Sequence, residues 1–423
     1  MLGEHRERGA GLKITCGIDW AENHHDVALV DEAGQLVAKR HINDDAEGYQ
    51  QLLGLLADAG DTPQNPIPVA VETTRGLLFA CLRATGRKVY SINPMAVARY
   101  RERYRVARAK SDHADAVALA NILRTDADVH RPLPADSELA QAISVLARAQ
   151  QDTVWNRAQL NNQLRSHLKQ YFPAALAAFQ VRGTGLDSRE ARAVLTAAPD
   201  PTTAARLTRA QLRSLLRKSG RQRNINTWAE RLRTVFTGDC LHQLPLVEQA
   251  MGRQTMALVN QLDAACRAAD DLAAAAAEAF AQHPDSEVLS SFPGIGPLTG
   301  ARVLGEIGDD RSRFRDARAL KAYAGAAPIT IASGKSHAVH HRRVKNQRLA
   351  AAGYVWIFGA LPVPQVKEHY DRRRARGDRH TAAMRNLFNR LLGCLHHCLA
   401  TGQKFDPAKA FPAFTTVTGP AAT

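Results

Sequence analysis

The first 130 residues alternate short apolar runs with helix-like segments, and that alternation constrains the fold more than any other feature of the chain. KITCGIDWAENHHDVALVDEAGQLVAKRHI reads as two or three strands, with Gly34 turning a hairpin between VALVD and QLVAKRHI. Residues 47–58 have helical periodicity, PIPVAVETT is a short apolar strand ending in polar residues, residues 76–85 form a second helix, and KVYSIN is a further strand. The basic stretch ARYRERYRVARAK follows. Strands alternating with helices predict an α/β domain over about residues 12–130.

After Ser137 the period changes. A long polar helix runs to about Tyr171, its later apolar seam formed by Leu160, Leu164, Leu168 and Tyr171. A second seam passes through Leu258, Leu262, Ala265, Ala269, Leu272, Ala276 and Phe280. Spacings of three and four predict helices packed as a coiled coil or hairpin, a linker region over 137–285 that is compatible with oligomerisation. Residues 180–240, rich in Arg, Ala and Thr, read as helical but irregular, and the pattern assigns them no role. From PGIGPLTGARVLGEIGD a third, mainly helical domain spans 286–405, and the Pro/Ala/Thr-rich 406–423 reads as a disordered tail.

Charge is unevenly distributed over the 423 residues. The formal net charge is +15, yet residues 1–98 hold 9 Lys/Arg against 13 Asp/Glu, and residues from 289 onward hold 21 Lys/Arg against 8 Asp/Glu. A slightly acidic head on a basic body suits a cation-using site joined to a nucleic-acid-binding surface. The six cysteines show no CxxC pair, which predicts a reduced cytoplasmic setting. Cys394 and Cys398 flank two histidines in CLHHC, but LLGCLHHCLA reads first as a core helix. No apolar run reaches membrane-spanning length and no signal peptide opens the chain, so a membrane role is not expected.

Four acids stand out. Asp19 ends the strand GIDW, Glu72 ends VAVETT, and Asp112 and Asp115 head the helix of KSDHADAVALANIL. On that helix Asp112, Asp115, Ala116, Leu119, Ile122 and Leu123 share one stripe, so the carboxylates lie on the apolar face. Capping of the helix start explains Asp112 equally well at this level, and Glu72 can cap Thr73 or Thr74. Buried carboxylates need either a metal ion or a cationic side chain. A four-carboxylate set on three elements matches two Mg²⁺ ions roughly 4 Å apart, the arrangement used in phosphoryl transfer.

The order GIDW, VETT, KSDHADA resembles the DEDD motif of a RuvC-like, ribonuclease-H-type transposase domain, with SINPMAVARYRE between as in such proteins. PGIGPLTGARVLGEIGDDRSRF, LKAYAGAAP and SGK resemble the C-terminal domain of the same proteins, the IS-one-ten family of insertion-sequence transposases, or bridge-RNA-guided recombinases. The resemblance covers about residues 14–170 and 286–405. One departure is that Thr73, Thr74 and Arg75 precede Gly76, where the acidic motif is usually followed by a small residue and glycine.

The resemblance implies a ribonuclease-H-like N-terminal fold, a DNA recombinase activity, and Mg²⁺ held by Asp19, Glu72, Asp112 and Asp115. It also implies a serine, matched by Ser333 with Ser336 as a neighbouring competitor, that attacks the scissile phosphate to give a transient phosphoserine link. Implied partners are donor and target DNA, a structured guide (bridge) RNA, and further copies of the chain as a dimer or tetramer, in a nucleoid-associated cytoplasmic protein. Lys335, Arg342, Arg343 and Lys345 are candidate phosphate-binding groups, joined by His337, His340 and His341. Gly294 and Gly296 of PGIGPLTG have the form of a helix-hairpin-helix turn that lets backbone approach a phosphate. Two further readings are a Holliday-junction-type nuclease, in which the acids activate water, and a non-catalytic nucleic-acid-binding protein.

Overall fold

The computed structural model describes residues 13–73, 76–104, 112–179, 185–334 and 336–412. The chain divides into two compact units, residues 1–135 and 136–423.

The first unit is α/β. Its elements in chain order are β1 (Thr15–Trp20), β2 (His24–Val30), β3 (Leu36–Asn43), α1 (Ala46–Asp58), β4 (Val69–Val71), α2 (Leu77–Ala84), β5 (Val89–Ser91), α3 (Pro94–Tyr104) and α4 (Asp112–Asp126). They form a mixed five-stranded sheet of order β3-β2-β1-β4-β5, in which β2 is antiparallel to both β1 and β3, and β4 and β5 run parallel to β1. Gly34 makes the β2–β3 turn at φ 79°, and its N–H donates to Asp31 O at 3.0 Å. Asp45 caps α1 by accepting from the Gly48 N–H at 2.7 Å. The sheet buries both faces. Cys16, Ile18, Val27, Leu29, Val69 and Val71 pack with Leu52, Leu56 and Leu82 from α1 and α2. Ala70, Tyr90 and Ile92 pack with Val97 of α3 and Ala118, Leu119, Ile122 and Leu123 of α4. The unit extends beyond residue 130, because Leu133 N–H donates to Val89 O and Pro132 bridges Tyr90.

The second unit is helical. It comprises α5 (Glu138–Tyr171), α6 (Pro173–Ala178), α7 (Arg189–Ala197), α8 (Pro201–Arg206), α9 (Arg209–Lys218), α10 (Ile225–Phe236), α11 (Pro245–Ala281), α12 (Ser286–Ser290), α13 (Pro297–Ile307), α14 (Ala317–Tyr323), the hairpin β6 (Ile329–Ser333) and β7 (Ser336–His340), α15 (Gln347–Ala360), α16 (Pro364–Ala375), α17 (His380–Thr401) and α18 (Pro407–Ala410). Helices α5 and α11 pack on one another within one chain. Leu160, Leu164 and Leu168 of α5 are covered by the same core that takes Val259 and Leu262 of α11 and Leu195, Leu212, Leu216 and Phe236 of the short helices. Within the irregular segment 180–240, the described residues from 185 onward therefore have a structural task, capping one end of the long helix pair. At the other end Ile143 of α5 and Ala276 and Phe280 of α11 enter a core with Leu304, Trp356 and Leu391.

The composition assigns residues 406–423 to a disordered tail, yet Pro407–Ala410 form a helix. Asp406 caps α18 through the Ala408 N–H at 2.9 Å, and Ala410 and Phe411 are buried, with the Arg390 guanidinium carbon 5.2 Å from the Phe411 ring centroid. Residues 413–423 lie outside the described residues.

Candidate active site

Strand parity places two of the four acids. Cys16 and Ile18 point into the α1/α2 core, so Thr15, Gly17 and Asp19 take the opposite face, toward α4. The Thr15 hydroxyl donates to Ala120 O at 3.0 Å, and a Cβ on Gly17 would meet Ala116 O at 2.0 Å. As β1 advances from 15 to 17, the contact on α4 moves back from 120 to 116. The helix thus runs antiparallel to the strand, and one further step brings its first turn alongside Asp19. On β4, Val71 belongs to the α1/α2 core and Ala70 to the α4 core, so Glu72 continues the α4-facing parity. Ile18 is the register partner of Val71, which puts Asp19 and Glu72 side by side at the ends of two parallel strands.

The backbone therefore gathers Asp19, Glu72 and the head of α4, carrying Asp112 and Asp115, at one end of one sheet face. Asp115 is buried, as the helical stripe predicts, and it is turned onto a cation: Arg101 Nη1 donates to both of its oxygens at 2.8 Å. Arg101 lies one turn beyond Val97, which anchors α3 in the α4 core. The side chain of Asp112 lies outside the described residues. Asp19 and Glu72 are half-buried and each has a partner. Among the described residues, the ligand atoms of Asp19, Glu72 and Asp115 do not form a three-donor cluster.

Ser333 ends β6 at the tip of the exposed hairpin, opposite Ser336, with Gly334 at φ 55° making the turn. Among the described residues no hydrogen bond holds its hydroxyl. His340 shares its face of the ribbon and His337 takes the other, because Ser336, Ala338 and His340 pair with Ser333, Ile331 and Ile329. Lys335 and the side chain of Ser336 lie outside the described residues. Arg343 is exposed, Arg342 is half-buried, and the Lys345 stem packs over Gly325, where an added Cβ would sit 2.2 Å from its Cδ.

Gly294 has a packing reason to be glycine. At φ 80° its missing Cβ would fall 2.4 Å from Trp356 O and 2.5 Å from Ala360 N, so it is the point where the turn meets the backbone of α15. Gly296 is exposed at the N-cap of α13 with nothing near its missing Cβ. Several arginines of the C-terminal region are occupied internally. Arg311 pairs with Asp285, Arg313 donates to the Tyr323 hydroxyl at 3.0 Å, and Arg374 donates to Asp378 O at 2.6 Å. CLHHC lies in α17, with Cys398 buried, and supplies no three-donor metal cluster among the described residues.

Pattern reading misses Arg101 as the partner of Asp115. It also misses the network beneath the hairpin, where buried Glu306 of α13 accepts from Arg148 Nε at 2.7 Å and from Asn346 Nδ2 at 2.6 Å. Asn346 also caps α15 through the Leu349 N–H at 2.8 Å, so one side chain ties the end of the hairpin segment to the core. The long separation of Arg148 from Glu306 leaves no local signal of their pairing.

Two family models match the chain, one described as a transposase over residues 16–173 and one as a transposase of the IS116/IS110/IS902 family over residues 286–371. A Streptomyces coelicolor protein named as the mini-circle transposase for IS117 is 62% identical over 401 residues, covering 95% of this chain and 97% of the relative. The insertion element IS110 43.6 kDa protein of the same species is 31% identical over 337 residues, 77% of this chain and 78% of its own length. The insertion element IS900 42 kDa protein of Mycobacterium paratuberculosis is 28% identical over 405 residues, 93% and 98% respectively. The chain belongs to the IS110 family of insertion-sequence transposases.

Proposed function

We propose that this transposase cuts and rejoins DNA by Mg²⁺-assisted attack of Ser333 on a phosphodiester, through a covalent phosphoserine intermediate. The observation that carries the reading is the convergence of Asp19, Glu72 and the head of α4 at one end of one sheet face, with buried Asp115 already neutralised by a cation. An all-oxygen donor set suits a hard ion such as Mg²⁺. When bound, such ions stabilise charge on the attacking and leaving oxygens of an in-line displacement. Asp19, Glu72, Asp112 and Asp115 would hold them, Asp115 once freed of its contact with Arg101.

Ser333 lies on an exposed ribbon that a DNA backbone can approach, which supports its reading as the nucleophile. Its Oγ forms the new bond to phosphorus, the bridging sugar oxygen leaves, and the serine proton passes to a base. Arg342, Arg343 and Lys345 follow closely enough in sequence to hold the phosphate oxygens. The mixed sheet flanked by helices on both faces supports a ribonuclease-H-like assignment of the first unit. The net charge of +15 supports nucleic-acid partners, which the family resemblance makes donor DNA, target DNA and a structured guide RNA, bound by a homo-oligomer.

The test is Ser333→Ala assayed beside Asp19→Asn on element-end DNA. Loss of both strand cleavage and the protein–DNA adduct in Ser333→Ala supports the serine mechanism. Retained cleavage without any adduct assigns the acids to activation of water, as in a nuclease.

A further inference from the structure

A second group of ligating side chains lies on the same sheet face, one strand away from Asp19. Asp26 of β2 is the register partner of Asp19 and, on its other side, of His41 on the edge strand β3. His24 precedes Asp26 by two residues and so projects on the same face. One ligand atom from each of His24, Asp26 and His41 lies within 4.8 Å of the others, a grouping found once among the described residues. The His24 and His41 ring centroids are 4.5 Å apart, and His41 Nδ1 lies 3.2 Å from Asp26 Oδ1.

A cross-strand His–Asp pair alone is ordinary polar decoration of a sheet edge. The third group changes the chemistry. A metal ion accepts both rings neutral and takes the carboxylate as its third ligand.

We infer that His24, Asp26 and His41 form a binding site for a divalent ion of the zinc class. Two imidazole nitrogens and one carboxylate oxygen are the donors such an ion prefers, whereas Mg²⁺ favours oxygen and dehydrates reluctantly. Ligands about 2.0–2.1 Å from a tetrahedral ion stand about 3.4 Å apart, so donors that lie within 4.8 Å of one another need to close by at most about 1.4 Å. His41 is exposed, which leaves its ring room to turn toward the ion. The inference is independent of whether the four acids hold Mg²⁺.

Zn²⁺ binding to the full chain is measured by calorimetry in millimolar Mg²⁺, for the unaltered protein, His41→Ala, His24→Ala and Asp19→Asn. Circular dichroism checks that each variant is folded. The expected result is one Zn²⁺ site whose affinity falls at least tenfold in both histidine variants and persists in Asp19→Asn. Equal Zn²⁺ stoichiometry and affinity in the unaltered protein and both histidine variants overturns the assignment. Loss in Asp19→Asn with retention in His41→Ala also overturns it, by placing the ion among the four acids.

Discussion

One guanidinium nitrogen of Arg101, Nη1, donates to both carboxylate oxygens of Asp115 at 2.8 Å, on a side chain of which only 6% is exposed. The arrangement is a nitrogen straddling a carboxylate rather than two parallel bonds, and Arg101 itself is 33% exposed. The guanidinium therefore keeps a route to solvent while the carboxylate does not. That asymmetry makes Arg101 the partner able to leave when another cation arrives.

Arg101→Met is expected to lower thermal stability by about 3 kcal/mol in chelator, because a buried carboxylate loses its cation. Addition of millimolar Mg²⁺ should then raise the melting temperature of the variant more than that of the unaltered protein. Differential scanning calorimetry with and without Mg²⁺ reads both effects. Equal Mg²⁺ responses in the two proteins would show that Asp115 takes no part in ion binding.

Gly17 sets how close α4 comes to the strand that carries Asp19. Gly17→Ala puts a methyl 2.0 Å from Ala116 O and 2.5 Å from Ala120 N, both backbone atoms that move only with the whole helix. A loss of about 2–4 kcal/mol in the first unit is expected, accompanied by loss of activity. Gly54→Ala is the control: it lies within α1 with nothing near its missing Cβ, and should stabilise by about 0.5–1 kcal/mol. Denaturant unfolding of the two variants measures the contrast.

Asp309 ties α5 to the loop after α13. Burial pushes its pKa up, but hydrogen bonds from Ser137 and from His283 outweigh burial and hold it below the usual carboxylate range. His283 accepts from the Asp285 N–H at 3.1 Å through Nδ1, so its proton sits on Nε2, 3.2 Å from Asp309 Oδ2. A depressed folded pKa stabilises above the unfolded value of about 3.9 and loses that contribution as pH falls through the folded value. Asp309→Asn is therefore expected to cost about 1–3 kcal/mol at pH 7, and the gap to the unaltered protein should close as acid passes below about pH 4. Denaturant midpoints across that range decide it, and a gap that is constant with pH contradicts the assignment.

Cys16 is fully buried in the sheet, and burial pushes its thiol up to about 12. Cys81 and Cys240 are exposed. Brief alkylation of the native protein at pH 8 should label Cys81 and Cys240 and spare Cys16 by at least about a hundredfold in rate. Mass spectrometry of the labelled peptides reads the ratio, and rapid Cys16 labelling would show the first unit opening readily.

Much of this arrangement is legible in the residues because it follows from period. GIDW and VAVETT announce strands, their last acids share a face by parity, and the stripe through Ala116, Leu119 and Ile122 points Asp115 inward. Pairing across a sheet carries no such signal. His41 meets Asp26 only because the Gly34 turn fixes the β2–β3 register, which includes a shift at Leu29/Val30. Arg101 looked like one cation among many in ARYRERYR, and only the docking of α3 on α4 selects it. Gly294 shows the opposite failure. A glycine-rich turn suggests an approach to phosphate, while the contact that demands glycine is with the backbone of α15.

The proposed covalent joining of Ser333 to DNA during strand exchange is tested most directly by denaturing electrophoresis of reactions with end-labelled element DNA and Mg²⁺, followed by mass spectrometry of the shifted band. A DNA-linked peptide containing Ser333 is expected, formed in the unaltered protein and in Ser336→Ala and absent from Ser333→Ala. Cleaved DNA with no linked peptide, or a link that survives Ser333→Ala, would contradict it.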